Sequence, residues 1–386
     1  MVDIYMDNVA GTRLLGDVFD EMLPFFKEKF GNPSSIHHAG LAPKEAIEKA
    51  RERVAAMIGA QPEEIYFTSC GSESNNLAVK GAAWSSQKKG KHIVVSAIEH
   101  HSVLYAARAL TKLGWEMTTV GADAKGFIDP DDVADAVRDD TVLVSVLHAS
   151  NEIGTIEPIK EIAARIKEKG IPVHTDAIQT AGVIPVNVDD LGVDMLSLAA
   201  NSFYGPKGSA ALYIRKGSRI FPLIHGGIQE RGRRAGTENV PAIAGLGKAA
   251  EIALRDMDKR IAATTPLRDR LMDGLASNIP KLIINGDRTG RLPGNVHASI
   301  EAIEGESMLY SLAGKGIMAA SGSSCADKAL KSSHVLSAIG VDPALANASI
   351  LFTLGFDNTE EEVDTVLEVL PPIVERLRSM SPLWDG

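Results

Sequence analysis

The feature that most constrains this chain lies between about residues 45 and 215. Short, nearly all-apolar runs rich in β-branched residues alternate there with stretches of helical spacing. The runs are 64–69, 92–98, 141–148, 171–176, 194–199 and 210–215. Strands apolar at nearly every position are buried on both faces, as in a parallel sheet layered between helices. One intervening helix places Ile47, Ala50, Val54, Met57 and Ile58 on one face and stops before Gly59. Another opens at Pro158 and is stopped by Gly170. Strand–helix–strand order predicts βαβ units, and so an α/β fold around a mainly parallel sheet. Ligands in such sheets bind at the carboxyl ends of the strands.

Beyond about residue 240 the pattern changes. A long helix, 242–276, contains Pro266, which is expected to kink or break it. A smaller α+β region follows and ends in a helix near 360–380. The expected division is a large unit, 16–259, and a small unit, 1–15 with 260–386. A length of 386 residues suits that division. The net charge of −10 argues against a general nucleic-acid binder, because phosphate neutralisation needs a basic face. No apolar run reaches the roughly 18 residues of a membrane-spanning helix. The first residues carry Asp3 and Asp7 and no basic segment, unlike a signal peptide. Cys70 and Cys325 are the only cysteines. They make no disulfide framework and no four-thiolate zinc site, and a reducing, cytoplasmic setting is expected.

Chemistry-bearing residues gather after the apolar runs. Cys70-Gly-Ser72 follows the first run and opens a helix, where free backbone N–H groups and the positive helix end make an anion cradle or a plain cap. There is no G-x-G-x-x-G and no Walker A sequence. Asp176 ends the run 171–176, where a carboxylate is costly unless a cation or a helix cap meets it. His100 and His101 follow the second run; read as strand neighbours they point to opposite faces, so one imidazole is left to stack on a flat ring or to serve structure. Arg231, Arg233 and Arg234 crowd the segment 229–239, which reads as an anion clamp, an interface or a solvated loop. Cys325 lies among Ser321-Gly-Ser-Ser and Ala326. Small polar neighbours suit a reactive thiol better than a packed one. Cys70, directly after a buried run, reads as a packing residue.

Together these motifs resemble cysteine desulfurases of the NifS/IscS type, within the class V aminotransferases. The resemblance runs in order through Tyr5-Met-Asp7-Asn-Val-Ala10, Gly31-Asn-Pro-Ser-Ser35, Phe67-Thr-Ser-Cys-Gly-Ser-Glu-Ser-Asn-Asn76 and Glu99-His100. It continues through Asn151-Glu-Ile-Gly-Thr155, His174-Thr-Asp-Ala-Ile-Gln179, Tyr204-Gly-Pro-Lys-Gly208 and Arg234-Ala-Gly-Thr-Glu-Asn239. It ends with Ser323-Ser-Cys325, Ser333-His-Val-Leu336 and Ser381-Pro-Leu-Trp384. It implies the fold of pyridoxal phosphate (PLP)-dependent transferases, aspartate aminotransferase-like. A mainly parallel seven-stranded sheet then forms the large domain, and a smaller α+β domain bears the Cys325 loop and the tail.

The resemblance also implies roles. Gly71 and Ser72 hold the PLP phosphate, with Ala199, Ala200 and Asn201 beside it. His100 stacks on the ring, Asp176 keeps its nitrogen protonated, and Asn151 and Gln179 hold the phenolic side. Thr237 reaches the phosphate of the other subunit, which implies a homodimer. Cys325 takes sulfur from L-cysteine as a persulfide and leaves alanine. The sulfur goes to an IscU-type scaffold, where Cys325 also acts as a transient [2Fe–2S] ligand.

The chain departs from that family at the lysine that forms the Schiff base. Ser202 stands at that position, Asn201 replaces a histidine, and Ala199 removes a hydroxyl. Leu351 stands where the substrate-carboxylate arginine is expected. Changes in two separate segments read as natural divergence, and PLP is expected to bind non-covalently. Lys207 belongs to the Gly-Pro-Lys-Gly turn and reads as structural. Two functional readings follow. One is a desulfurase that uses exchangeable PLP. The other is a catalytically impaired scaffold partner whose Cys325 helps ligate a [2Fe–2S] cluster. An aminotransferase reading is weaker, because that chemistry needs the lysine and has no use for Cys325.

Overall fold

Buried strands must pair, and the computed structural model shows how; it describes residues 3–321 and 333–384. In chain order the strands are β1 (Ile4–Tyr5), β2 (Ile65–Thr68), β3 (His92–Ser96), β4 (Glu116–Val120), β5 (Thr141–Ser145) and β6 (Val173–Asp176). Then follow β7 (Met195–Ala199), β8 (Ala210–Ile214), β9 (Leu282–Ile284), β10 (Asn295–Ile300), β11 (Ile317–Met318) and β12 (Ser349–Thr353). Seven form one sheet in the order β2-β8-β7-β6-β5-β3-β4. Only β8 runs against its neighbours; the other pairings are parallel. The predicted runs are the six interior or buried strands. The seventh, β4, lies at the sheet edge with half of it open to solvent, so its alternating Glu116-Met-Thr-Thr-Val120 lacks the apolar signature.

The helices on the two faces bury most of the sheet in two apolar clusters. A third cluster lies around the antiparallel sheet β12-β10-β9 and includes Ile4 and Met6 from the start of the chain. The segment from Val335 to Ala346 packs instead into the large cluster. One helix, Val240–Asn278, bridges both regions. Its first half places Ala250 and Ala253 in the large cluster, and its second half places Leu271 and Leu275 in the other. The helix is continuous through Pro266, contrary to the expected break. A proline removes one backbone hydrogen bond and costs about 3 kcal/mol in a helix interior. Anchoring in a core on each side offsets that cost.

A buried ion pair ties the segment 229–239 to this frame. Arg51, on the helix Leu41–Ile58, donates to both oxygens of Glu230 at 2.9 Å. It also donates to the Ile65 carbonyl at 2.7 Å, while Glu230 accepts the Phe67 N–H at 2.8 Å. Removing one partner of a buried pair leaves an uncompensated charge, which costs about 3–5 kcal/mol. Arg51→Met is expected to lower unfolding free energy by that amount in urea titration. Arg255→Gln, which breaks the exposed pair with Asp256, should change it by less than about 0.5 kcal/mol.

Candidate active site

The carboxyl edge of the large sheet gathers most of the sequence candidates. Gly71 and Ser72 open the helix Gly71–Ser86, three residues beyond the end of β2. His100 caps the helix His101–Thr111 beyond β3, and Asn151 lies in the turn beyond β5. Asp176 ends β6, Ala199 ends β7, and Ala200, Asn201 and Ser202 form a short 3₁₀ turn beyond it. Cys325 lies outside the described residues, as does its expected role as a cluster ligand. Thr237 is exposed, between Arg234 and the bridging helix.

Asp176 is the electrostatic centre. Its side chain is buried and accepts two neutral hydrogen bonds, from Asn75 Nδ2 at 2.6 Å and from the Ile178 N–H at 3.0 Å. No cationic side chain pairs with it among the described residues. Burial raises its pKa above the ordinary carboxylate range, and His100 pulls it partly back. The nearby Glu99 is fully buried and is raised well above its ordinary value by burial and by the Asp176 charge. One of its oxygens accepts from Ser96 and from the Leu147 N–H, and the other has no partner.

Asn75 also donates to Ser102 Oγ at 2.8 Å, and Ser102 Oγ lies 2.7 Å from His100 Nδ1. The Ser102 N–H donates to the same nitrogen at 3.1 Å, so Nδ1 is an acceptor and the ring proton sits on Nε2. A chain of hydrogen bonds thus orients the His100 ring from Asp176. His100 and His101 open a helix and are not strand neighbours, since β3 ends at Ser96. Their rings are 6.3 Å apart.

Gly71 packs closely against the Ile178 side chain. A Cβ there would meet Ile178 Cδ1 at 2.2 Å, so the helix start lies directly against the loop that holds Asp176. Cys70 is exposed, not packed, because the chain has already left β2 and only caps the helix. The arginines of 229–239 are engaged within the chain, and the solvated-loop alternative does not hold. Arg231 donates to the Glu63 carbonyl, Arg233 stacks over Tyr66 at 4.9 Å, and Arg234 pairs with Glu73 at 2.9 Å.

Beside this edge is a cleft lined by Asn8, Asn151, Gln179, Ser202, Tyr204 and Arg260, among others. Ser202 is buried, and its Oγ has no hydrogen-bond partner among the described residues. Gln179 reaches the Val9 carbonyl only at 3.5 Å. Asn201 is not part of the lining, and its backbone carbonyl accepts from the Thr12 N–H at 2.9 Å. Lys207 is exposed and is not part of the lining. Sequence reasoning missed Asn75, Ser102, Arg260 and a contact between Glu152 and Ser333. Asn75 stands inside a motif already noted. Arg260 lies mid-helix with no local signal.

These residues fit PLP as a non-covalent guest. A buried acid without a cation suits a protonated ring nitrogen, and the helix start beside it suits a phosphate. The orphaned hydroxyl of Ser202 offers no amine for a covalent bond. A buried acid at a strand end beside a helix start, in a sheet of this order, is the arrangement expected of a PLP-dependent transferase.

The class V aminotransferase family model matches residues 4–366, and the chain belongs to that family. Within it, the chain groups with the NifS/IscS desulfurases. It is 53% identical over 380 residues to cysteine desulfurase IscS of Dictyoglomus turgidum, covering 98% of this chain and 96% of the relative. It is 51% identical to cysteine desulfurase IscS of Methanosarcina thermophila, covering 98% and 94%. Among solved structures, a NifS-like protein superposes with a TM-score of 0.91 at 39% identity, covering 97% of this chain and all of that one.

The contact between Glu152 and Ser333 is pH-sensitive. Glu152 accepts from the Ser333 hydroxyl, at the start of the helix His334–Ala338. Burial pushes its pKa to about 7, against the pull of that hydrogen bond. A raised carboxyl keeps its proton in the folded state where the unfolded chain has lost it. Stability from this group is therefore lost as pH rises from about 4.5 to about 7. Glu152→Gln should flatten that part of the profile and gain up to about 3 kcal/mol over the parent at pH 8. Urea midpoints across pH check it; parallel profiles for the two proteins would count against it.

Proposed function

We propose that this chain converts L-cysteine to L-alanine with exchangeable PLP and passes the sulfur on from Cys325. The observation that carries the reading is the buried Asp176, framed by Asn75 and Ile178, next to a cleft where Ser202 replaces the lysine. The desulfurase relatives support the substrate.

Bound PLP supplies an electron sink that loosens bonds at the substrate's α- and β-carbons. Asp176 holds the proton on the ring nitrogen, and His100 covers one ring face. Gly71, Ser72 and the helix start hold the phosphate, with Ala199, Ala200 and Asn201 alongside. Asn151 and Gln179 hold the phenolic side. The Cys325 thiolate attacks the substrate sulfur, forming an S–S bond as the C–S bond breaks. The bonding pair stays with carbon, which takes a proton, leaving alanine and a Cys325 persulfide.

The assignments beyond the site are also ours. Thr237 serves the phosphate of a second copy, and the exposed Ile224 and Ile228 nearby suit a homodimer face. Residues 16–259 form the PLP-binding unit, and 1–15 with 260–386 form the smaller one, with 335–346 docked on the former. The sulfur acceptor is an IscU-type scaffold, and Cys325 shares a [2Fe–2S] cluster with it. The tail that would meet the scaffold lies against the chain, with Trp384 over Arg378 at 4.0 Å and over Lys281 at 4.7 Å. No helix among the described residues is long and apolar enough to cross a membrane, and we place the protein in the cytoplasm.

Intact mass after exposure to L-cysteine and PLP should show one added sulfur atom, absent in Cys325→Ser; sulfur elsewhere contradicts the reading. Asp176→Asn should weaken PLP binding about 10- to 100-fold in equilibrium dialysis, the range of a charged hydrogen bond. Ser202→Lys should create a borohydride-trappable PLP adduct and raise alanine formation by about 10²-fold, the lower range for a positioned base.

A further inference from the structure

Among the described residues, the cleft beside Ser202 is lined by one charged side chain, Arg260. Leu351, which occupies the expected position of the carboxylate arginine, is buried and is not part of that lining. Arg260 extends from the bridging helix and stacks over two rings, Phe356 at 4.5 Å and Tyr204 at 5.2 Å. Tyr204 is itself fixed: its hydroxyl meets Asp357 at 3.2 Å and accepts the Phe356 N–H at 3.1 Å. The rings hold the guanidinium plane without occupying its in-plane N–H donors.

Those donors have no partner among the described residues. Arg260 forms no ion pair and no hydrogen bond among the described residues, although Asp256 and Asp357 lie on neighbouring positions. Asp256 is taken by Arg255 at 2.7 Å, and Asp357 by Tyr204. Burial makes the free cation costly and lowers its pKa. A partly buried guanidinium with open donors is a site for a planar anion, bound through two parallel hydrogen bonds. The rest of the cleft is neutral. Asn8, Asn151 and Gln179 offer amides, and the Ser202 hydroxyl is open.

We infer that Arg260 binds the α-carboxylate of the amino-acid substrate, in place of an arginine at position 351. This rests on the desulfurase reading for the identity of the amino acid, but the carboxylate requirement follows from the cleft. The geometry has a consequence for the helix. Arg260 precedes Pro266 by less than two turns, on the stretch that joins the two cores, so the substrate carboxylate is gripped by the element that couples both halves of the molecule.

The test compares two ligands that differ only by the carboxylate. L-Alanine and ethylamine are titrated calorimetrically into the full-length protein supplied with PLP. Arg260→Met, which keeps the contact with Phe356, should weaken L-alanine binding about 10- to 100-fold and ethylamine binding by less than about 2-fold. Arg260→Lys should recover part of the loss, since a point charge remains but the planar fork does not. Thermal unfolding of both variants shows that they are folded. An equal loss for both ligands, or no loss for L-alanine, overturns the proposal. So does a parent protein that fails to bind L-alanine. Arg260-dependent L-alanine binding without alanine formation from L-cysteine would uphold this site and reject the desulfurase reading.

Discussion

A carboxylate buried at the end of a strand, with no cationic side chain paired to it among the described residues, is the constraint around which the rest is arranged. Asp176 has only two neutral donors, Asn75 and the Ile178 N–H. Two such hydrogen bonds do not replace the hydration of a charge. Its neighbour Glu99 is pushed well above the ordinary carboxylate range by burial and by the Asp176 charge. Asp176 instead sits where a protonated ring nitrogen can meet it. The same donors reach outward: Asn75 bonds Ser102, and Ser102 fixes the His100 ring. Ile178 packs on Gly71, which fixes the helix start that faces the phosphate. On the proposed reading, one strand end sets the partners of the ring nitrogen, the ring face and the anion cradle together.

On the proposed reading, this arrangement lets the site hold PLP without the lysine. The covalent bond is one of several anchors for the cofactor, and the non-covalent anchors come from strand ends that the core already holds rigid. The altered segment, Ala199 to Ser202, begins at the last residue of β7, whose five residues are all buried. The substitutions remove functional groups without disturbing the sheet. On the substrate side, the long helix through Pro266 places Arg260 in the cleft, where Leu351 cannot serve.

Much of this was legible in the sequence. Nearly all-apolar runs marked the buried strands, because burial on both faces leaves few polar positions. The residues following them marked the site, because parallel strands end at one edge. Three things were not legible, each for a physical reason. The edge strand β4 is half solvated and loses the apolar signature. Pro266 reads as a break, yet cores on both sides hold its helix straight through. Arg260 lies on a helix 84 positions beyond Asp176, and only the tertiary packing shows that its donors are open. Cys70 misled for a related reason: it follows a buried strand by two residues, and by then the chain has reached the surface.

The central claim is that the ring is held by Asp176 and its partners, with no covalent bond from the protein. Borohydride reduction of the PLP-loaded protein before any substrate is added, followed by intact-mass measurement and peptide mapping, tests it directly. The account predicts an unmodified chain from which PLP dialyses away. A reduced pyridoxyl group mapped to a single lysine, Lys207 included, would contradict it.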